Sequence, residues 1–566
     1  MDKLYYYKNN PIVKSIFIKM LAPTILMNLT TALASFADTV IIGYFLDELS
    51  LSVVTYATPI YMIINTFASL FAVGGSIAMS IDSGKGEKQT SNKAFSISVE
   101  LLVFTGVILL VAGVFFGKTI THWLGAGKDV YDMVYDYSGI ILIFAPVFML
   151  NVGFAFFVRN DGRPILSMVG MFLSIIVNIV SDVVFIGVFD WGVKGAAYAT
   201  VLGQLVSVLI ISSHFLSKKN TLKFIFTFNK TALRIIKNGI STALHFIYQF
   251  LTILILNHFI SKLAGSNGVV VYTVVFNLYT VSLALFEGIS QTIQPIVSLY
   301  FGEKSYGKIR NTLRLALVAI VVICGMITVA LEIVPQIVPL IFGIKDVWLL
   351  EKSIVAVRIF ATSMLIMTIN VVLGYYLQST EHSIMSAILV SLRCFVLFLG
   401  CALVLGKMFG MNGVWLAYTI AEILTFVIFI IMNKIMRRKI LKSGTDVNMF
   451  LLDKNIENNI YCLTFNCGKD DFDDFKSAVL AYLEECEHIN DSVKKDTENY
   501  LLELYKCYSS KKGKYIEVEV NNADQKVIIR DNLNHLTIKD GIQEIISGMN
   551  KAEYGPVLGF NRICIE

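Results

Sequence analysis

Apolar residues fill the first 440 or so positions in long runs, and polar residues collect in the short gaps between them. A bilayer core takes roughly 20 apolar residues per helix. Runs of sufficient length occur at 14–44, 51–82, 92–117, 130–158, 164–189, 193–216, 233–262, 268–302, 307–333, 348–378, 383–408 and 412–437. They predict an all-α polytopic membrane protein with twelve transmembrane helices. The longer runs predict tilted or kinked spans, with Pro59, Pro146 and Pro295 inside them. From Lys454 the pattern changes. Tyr461–Asn466 reads as a strand, Phe472–Glu487 and Val493–Tyr508 as amphipathic helices, and Tyr515–Val520 with Val527–Arg530 as a hairpin. A helix near Gly541–Met549 and a strand over Leu558–Ile565 would complete a soluble α/β sandwich.

Composition fits this division. The 566 residues are 55% hydrophobic and 16% charged, against about 25% charged in soluble chains. That excludes a water-soluble, disordered or collagen-like protein. Residues 446–566 hold 14 Lys and Arg against 22 Asp and Glu; the rest holds 33 against 20. The tail is therefore an acidic soluble region on a sparsely charged, basic body. The cysteines form no C-x-x-C pair, so no zinc site is expected and the tail thiols read as reduced, in cytosol. The polar start and the length of the first apolar run predict no cleavable signal peptide.

Loop charges orient the body. With the amino terminus in the cytoplasm, the five inner loops carry 15 Lys and Arg and the six outer loops 7. Both termini are then cytoplasmic, in the plasma membrane. Trp123, Trp191, Trp348 and Trp415 all fall at or beside outer loops, as an interfacial belt would place them.

The body repeats itself. Gly192-Val-Lys-Gly195 recurs as Gly410-Met-Asn-Gly413, and Gly86-Glu87-Lys88 as Gly302-Glu303-Lys304. The offsets span an even number of helices, so two six-helix lobes share one orientation, a plan that places transport sites between lobes. The predicted organisation is a first lobe at 1–216, a basic linker at 217–232, a second lobe at 233–445 and the α/β domain at 446–566.

These motifs resemble a family. Asn178-Ile-Val-Ser-Asp182 with Trp191–Thr200 looks like the fifth and sixth helices of the multidrug and toxic compound extrusion (MATE) family, in its DinF/MepA-like branch. Gly288-Ile-Ser-Gln-Thr-Ile-Gln-Pro295 looks like the eighth, and Gly410–Ala417 like the connection to the twelfth. The resemblance covers about residues 10–440. It implies a V-shaped pair of lobes, alternating access, and export of organic cations and other amphipathic drugs against H⁺ or Na⁺, with no enzymatic step and no cofactor.

Ionised groups inside a bilayer are costly, so each needs a reason. The family's amino-lobe cation site is matched by Asp38, Asn178, Asp182 and Thr200, and its helix-1 proline by Pro23. Asn178 and Asp182, four apart, share a helix face. The site implies H⁺ uptake or Na⁺ binding, and Pro23 a hinge that neutralisation could bend. Asp38 snorkelling to the outer face is the alternative. In the second half the equivalent positions are Val396 and Gly400, so no carboxylate ion site is expected there. Glu287 is a candidate contact for a cationic substrate, or a local cap. Glu332 and Glu422 read as interfacial, and Arg358 and Arg393 are the scarce mid-span cations.

The tail weakly resembles the anti-sigma-type kinase-like ATPase fold of the GHKL class. Glu503 would lie on the base-bearing helix and Asp531 at the adenine, with Leu558-Gly-Phe-Asn561 as the closing strand. The metal-binding Asn and the glycines after Asp531 are missing, which implies a degenerate regulatory or binding domain without nucleotide turnover. Three functional classes follow: a drug antiporter, a membrane sensor signalling through the tail to a cytosolic partner, or a lipid or metabolite flippase. Small organic molecules and the bilayer are the expected partners; no nucleic acid is. No P-loop exists for an ATP-driven pump.

Overall fold

The computed structural model describes residues 10–566 except 47, 226–229, 343, 345, 468–469, 487–488, 509–513, 523, 533–545, 547–548, 550–551 and 566. Most of the helix expected near Gly541–Met549 lies outside the described residues.

The first lobe is built from α1 (Pro11–Phe45), α2 (Glu48–Lys85), α3 (Lys88–Trp123), α4 (Tyr131–Ile143), α5 (Ala145–Asn160), α6 (Pro164–Asp182) and α7 (Gly192–Ser212). The second is built from α8 (Thr231–Gly302), α9 (Tyr306–Ile333), α10 (Ile337–Ile341), α11 (Val347–Ala361), α12 (Met364–Ser379), α13 (Ser383–Ser391), α14 (Leu397–Phe409) and α15 (Met411–Lys442). Gly265, at φ 64°, breaks α8 into two spans. Among the described residues ten helices are long and apolar enough to cross a membrane, or twelve if the bent pairs α4–α5 and α11–α12 are one span each. The first bend, 49°, precedes Pro146. The second, 47°, has no proline; there Ser363 Oγ donates to the Phe360 carbonyl, a side-chain bond of the kind that bends helices.

Each lobe has its own apolar core, but α1 belongs to both. Ile12, Ile16 and Met20 pack in the second lobe's core, while Met27 and Ile42 pack in the first's. Three tryptophans, Trp123, Trp191 and Trp348, are exposed. Trp415 departs from the expected belt: it is 1% exposed and stacks on Tyr272 at 6.4 Å. Its position beside a loop was visible in sequence; the direction its helix faces was not.

After a short helix, α16 (Lys454–Asn458), the tail forms one antiparallel sheet in the order β1-β2-β3-β5-β4. The strands are β1 (Ile460–Asn466), β2 (Tyr515–Asn521), β3 (Lys526–Asp531), β4 (Ala552–Val557) and β5 (Phe560–Ile565). Helices α17 (Phe472–Glu485) and α18 (Asp491–Tyr508) supply Val479, Leu483, Leu501 and Leu504 to a core with Val518, Ile529 and Ile563. The expected single strand 558–565 is instead the second arm of a hairpin. Leu558 and Gly559 both take positive φ, 50° and 79°, as a two-residue type I′ turn requires. A leucine there hid the turn. The sheet's other face lies against the membrane body, so the tail is not a free-standing sandwich.

Candidate functional site: a carboxyl pair between helices

Asp182 ends α6 and is followed at once by a π-helical turn, Val183–Val188. Such turns widen a helix locally and recur at functional sites. The two helices α6 and α7 approach closely because residue 203 is glycine; a Cβ there would sit 2.6 Å from the Ser174 carbonyl oxygen. That approach brings Thr200 to Asn178, whose Nδ2 donates to Thr200 Oγ1 at 3.4 Å. Asp38, from α1, contacts Asn178 and Asp182. The four residues expected to form an ion site are thus one cluster. Asp182 is 1% exposed, yet among the described residues neither of its oxygens has a hydrogen-bond partner within normal geometry, and nor does Oδ1 of Asp38.

Two members were missed in the sequence. The hydroxyls of Tyr61 (α2) and Tyr137 (α4) lie 3.1 Å apart, and both phenols feel the Asp38 charge and reach Thr200. Among 25 tyrosines nothing marked them; only the assembly of five helices does. Pro23 lies inside α1, which continues unbroken past it. Proline has no N–H to give the carbonyl one turn before it. Asn28, one turn after Pro23, donates to the Thr24 carbonyl at 2.9 Å and to Gln291 of the second lobe at 3.2 Å.

The second lobe holds a buried ion pair of its own, at positions other than Val396 and Gly400. Glu422, expected at an interface, is 4% exposed. Arg393 Nε lies 2.8 Å from its Oε1, and Asn370 Nδ2 donates to its Oε2 at 2.7 Å. Arg393 sits in a second π-helical turn, Leu392–Val396. Two adjoining cavities share His245 and Arg393: one is walled by Tyr272, Tyr279, Phe398 and Tyr418, the other by Glu287, Asn370 and Tyr375. The spacing from Glu422 to Arg393 spans two helices, so no local pattern announced the pair.

The lobes meet tightly at the end of the bundle that carries the sheet. Cβ atoms on Gly84 and Gly302 would lie 2.1 Å from the Leu299 and 2.0 Å from the Ile81 carbonyl oxygens across the seam. Gly74 and Gly239 make the same kind of backbone approach to Ile235 and Leu70. Arg234 of α8 binds Asp82 of α2 at 2.8 Å. Buried Arg159 of α5 donates to Gln291 and Gln294 of α8, both at 3.0 Å.

Two lobes on one plan, with a carboxyl pair inside the first, agree with the family model that matches: MatE, over residues 23–184 and again over 241–404. The chain belongs to the MatE family. It is a secondary transporter with multiple transmembrane helices and not an enzyme. The chain is 24% identical over 425 residues to the multidrug export protein MepA of Staphylococcus saprophyticus, covering 74% of this chain and 93% of that one. It is 25% identical to MepA of Staphylococcus haemolyticus, over 77% and 97%. Among solved structures it resembles an outward-facing multidrug resistance MATE transporter of the MOP superfamily (TM-score 0.72, 21% identity, 76% and 97% covered). It also resembles a MOP-superfamily transporter from Pyrococcus furiosus described as having a binding pocket of reversed polarity (TM-score 0.70, 20% identity, 75% and 96% covered). These MatE relatives are matched almost end to end, while about a quarter of this chain has no counterpart in them.

In the tail, Asp531 accepts from Asn561 Nδ2 at 2.7 Å and is buried at the end of β3. Glu503 pairs with Lys506 on its own helix at 2.5 Å. Cys462, Glu517 and Glu519 come close enough to hold a metal, but the two carboxylates already face Lys308 and Arg530, which occupy the place a cation would take.

Proposed function

We propose that this MatE chain exports amphipathic, often cationic, organic compounds by antiport against H⁺ or Na⁺, with alternating access between its lobes. The observation that carries this is the pair Asp38–Asp182, with Asp182 buried and its oxygens unpartnered among the described residues, next to Asn178, Thr200, Tyr61 and Tyr137. Two neighbouring carboxylates repel in a low dielectric, and one positive charge between them removes the repulsion. A proton could do so, or Na⁺ held by carboxylate, amide and hydroxyl oxygens. Neutralisation lets α1 move against α6, and Pro23 lowers the cost of bending α1.

Glu287, which lines one of the second lobe's adjoining cavities with Asn370 and Tyr375, suits the positive end of a substrate. Both termini and the sheet end are read as cytoplasmic, in the plasma membrane. The tail is read as a regulatory domain that turns over no nucleotide. The test is dye efflux from proteoliposomes under separate H⁺ and Na⁺ gradients, with Asp38→Asn and Asp182→Asn beside wild type. Loss of gradient-coupled efflux in both supports the reading; retention in both overturns it.

A further inference from the structure

One face of the C-terminal sheet is built of charge. Side chains alternate along a strand, and Ile516, Val518 and Val520 point into the domain's own core. That leaves Glu517, Glu519, Arg530 and Arg562 on the other face, each 6% exposed or less. Such a face cannot be buried without partners, and the partners are in the transporter body. Lys308 of α9 bonds both Glu517 and Glu519. Ser305 bonds Glu519, and Glu303, just past α8, binds Arg530. Glu303 also lies 2.9 Å from Nε of Arg562.

The same sheet reaches the other lobe. Arg562 donates to the carbonyls of Ser83 at 3.0 Å and Gly84 at 2.9 Å, at the end of α2. Lys88 of α3 donates to the Tyr554 carbonyl at 2.5 Å. Gly162 of the α5–α6 loop sits against the Leu558-Gly559 turn, where a Cβ would be 2.3 Å from Gly559 N. Asn10, which caps α1, bonds Glu517 at 2.5 Å. A single rigid sheet is therefore fastened to both lobes, and to the start of the helix bearing Asp38, across the glycine seam where the lobes touch.

We propose that the C-terminal domain is a built-in clamp that holds the lobes together at this end, and that it must leave at least one lobe before they can part. Its chemistry suits a reversible lock. Glu517, Glu519, Arg530 and Arg562 balance among themselves, as do Lys308 and Glu303 in the body. The buried centre of each surface is thus neutral on its own, and water can replace the partner's charges on release. Desolvating charges costs about as much as their attraction returns, so the network fixes where the sheet sits more than how tightly. The tether keeps the freed domain at high local concentration.

The inference takes from the preceding reading only that the lobes separate here, so its main readout needs no substrate. Spin labels at Lys85→Cys and Lys237→Cys, exposed on the two lobes, report the separation in full-length protein in nanodiscs, with other accessible cysteines replaced. Arg562→Gln removes the shared tie. Asp524→Lys attacks a milder one, the 2.7 Å pair with Lys304. Adding Lys304→Asp restores that pair with its charges exchanged. The expected result is a new long-distance population in Arg562→Gln and in Asp524→Lys, reverting in the exchanged double variant, with initial efflux rates rising about threefold or more where the population appears. An unchanged distance distribution in both single variants overturns the clamp. So does a long-distance population that persists in the exchanged pair. If the distances respond but no variant or wild type transports dye, the clamp stands and the substrate reading fails.

Discussion

The guanidinium Nε of Arg393 lies 2.8 Å from Glu422 Oε1, with both side chains buried in the second lobe. Removing one member of a buried pair strands the other, at about 3–5 kcal/mol. Glu422→Gln is therefore expected to lower the unfolding temperature of detergent-solubilised protein. Arg393→Met with Glu422→Leu is expected to recover most of the loss, because no uncompensated charge remains. Nanoscale fluorimetry on both variants reads this directly; a double variant no better than Glu422→Gln refutes it.

The contact between Tyr61 and Tyr137 extends the first lobe's site beyond its acids. A hydrogen bond contributes about 1 kcal/mol net, so Tyr61→Phe should weaken ion-coupled efflux by about fivefold and leave the protein folded. Asp182→Asn should abolish coupling altogether. Flux against an imposed gradient separates the two, and equal effects would place Tyr61 among the essential groups instead.

At the seam, Gly84 and Gly302 leave no room for a side chain. Gly302→Val must push Ile81 away, since its Cβ would lie 2.0 Å from that backbone oxygen. The expected outcome is that the seam opens and the domain comes off one lobe with it, read as a long-distance population in the same pair of labels together with faster proteolysis of the tail. Unaltered distances would mean that the backbone yields elsewhere.

Docking of the tail should be insensitive to ordinary pH. Burial alone would raise the Glu519 carboxyl, but Lys308 and Arg530 outweigh it and hold the group down at about 2, below its usual 4.5. A depressed carboxyl contributes stability that is complete above its unfolded value and lost only as pH falls through the folded one. Proteolytic protection of the tail is therefore expected to be constant from about pH 5.5 to 8 and to fail only in strong acid. Loss of protection near pH 6 would contradict this.

Much of the architecture was legible because bilayer burial leaves a strong, local mark. Long apolar runs gave the spans, the recurring Gly-Glu-Lys and Gly-x-x-Gly motifs gave the duplication, and the i, i+4 spacing of Asn178 and Asp182 put them on one face. Asp38, 140 positions away, joined them only through a resemblance. Tyr61 and Tyr137 left no trace, and Arg393 and Glu422 stood out singly but not as a pair, since both contacts depend on which helices become neighbours. The tail's strands were found in large part, but Leu558 concealed a turn.

By itself, then, the sequence determined a two-lobed membrane body carrying an acidic, separately patterned tail, because hydropathy and repeat spacing are properties of the chain alone. Only the tertiary structure decided where that tail goes. Nothing along the strands marks Glu517, Glu519, Arg530 and Arg562 as buried; they are buried because Lys308, Glu303, Ser83 and Gly84, hundreds of residues earlier, pair with them. Complementarity between surfaces has no periodicity, and it exists only once both surfaces have folded.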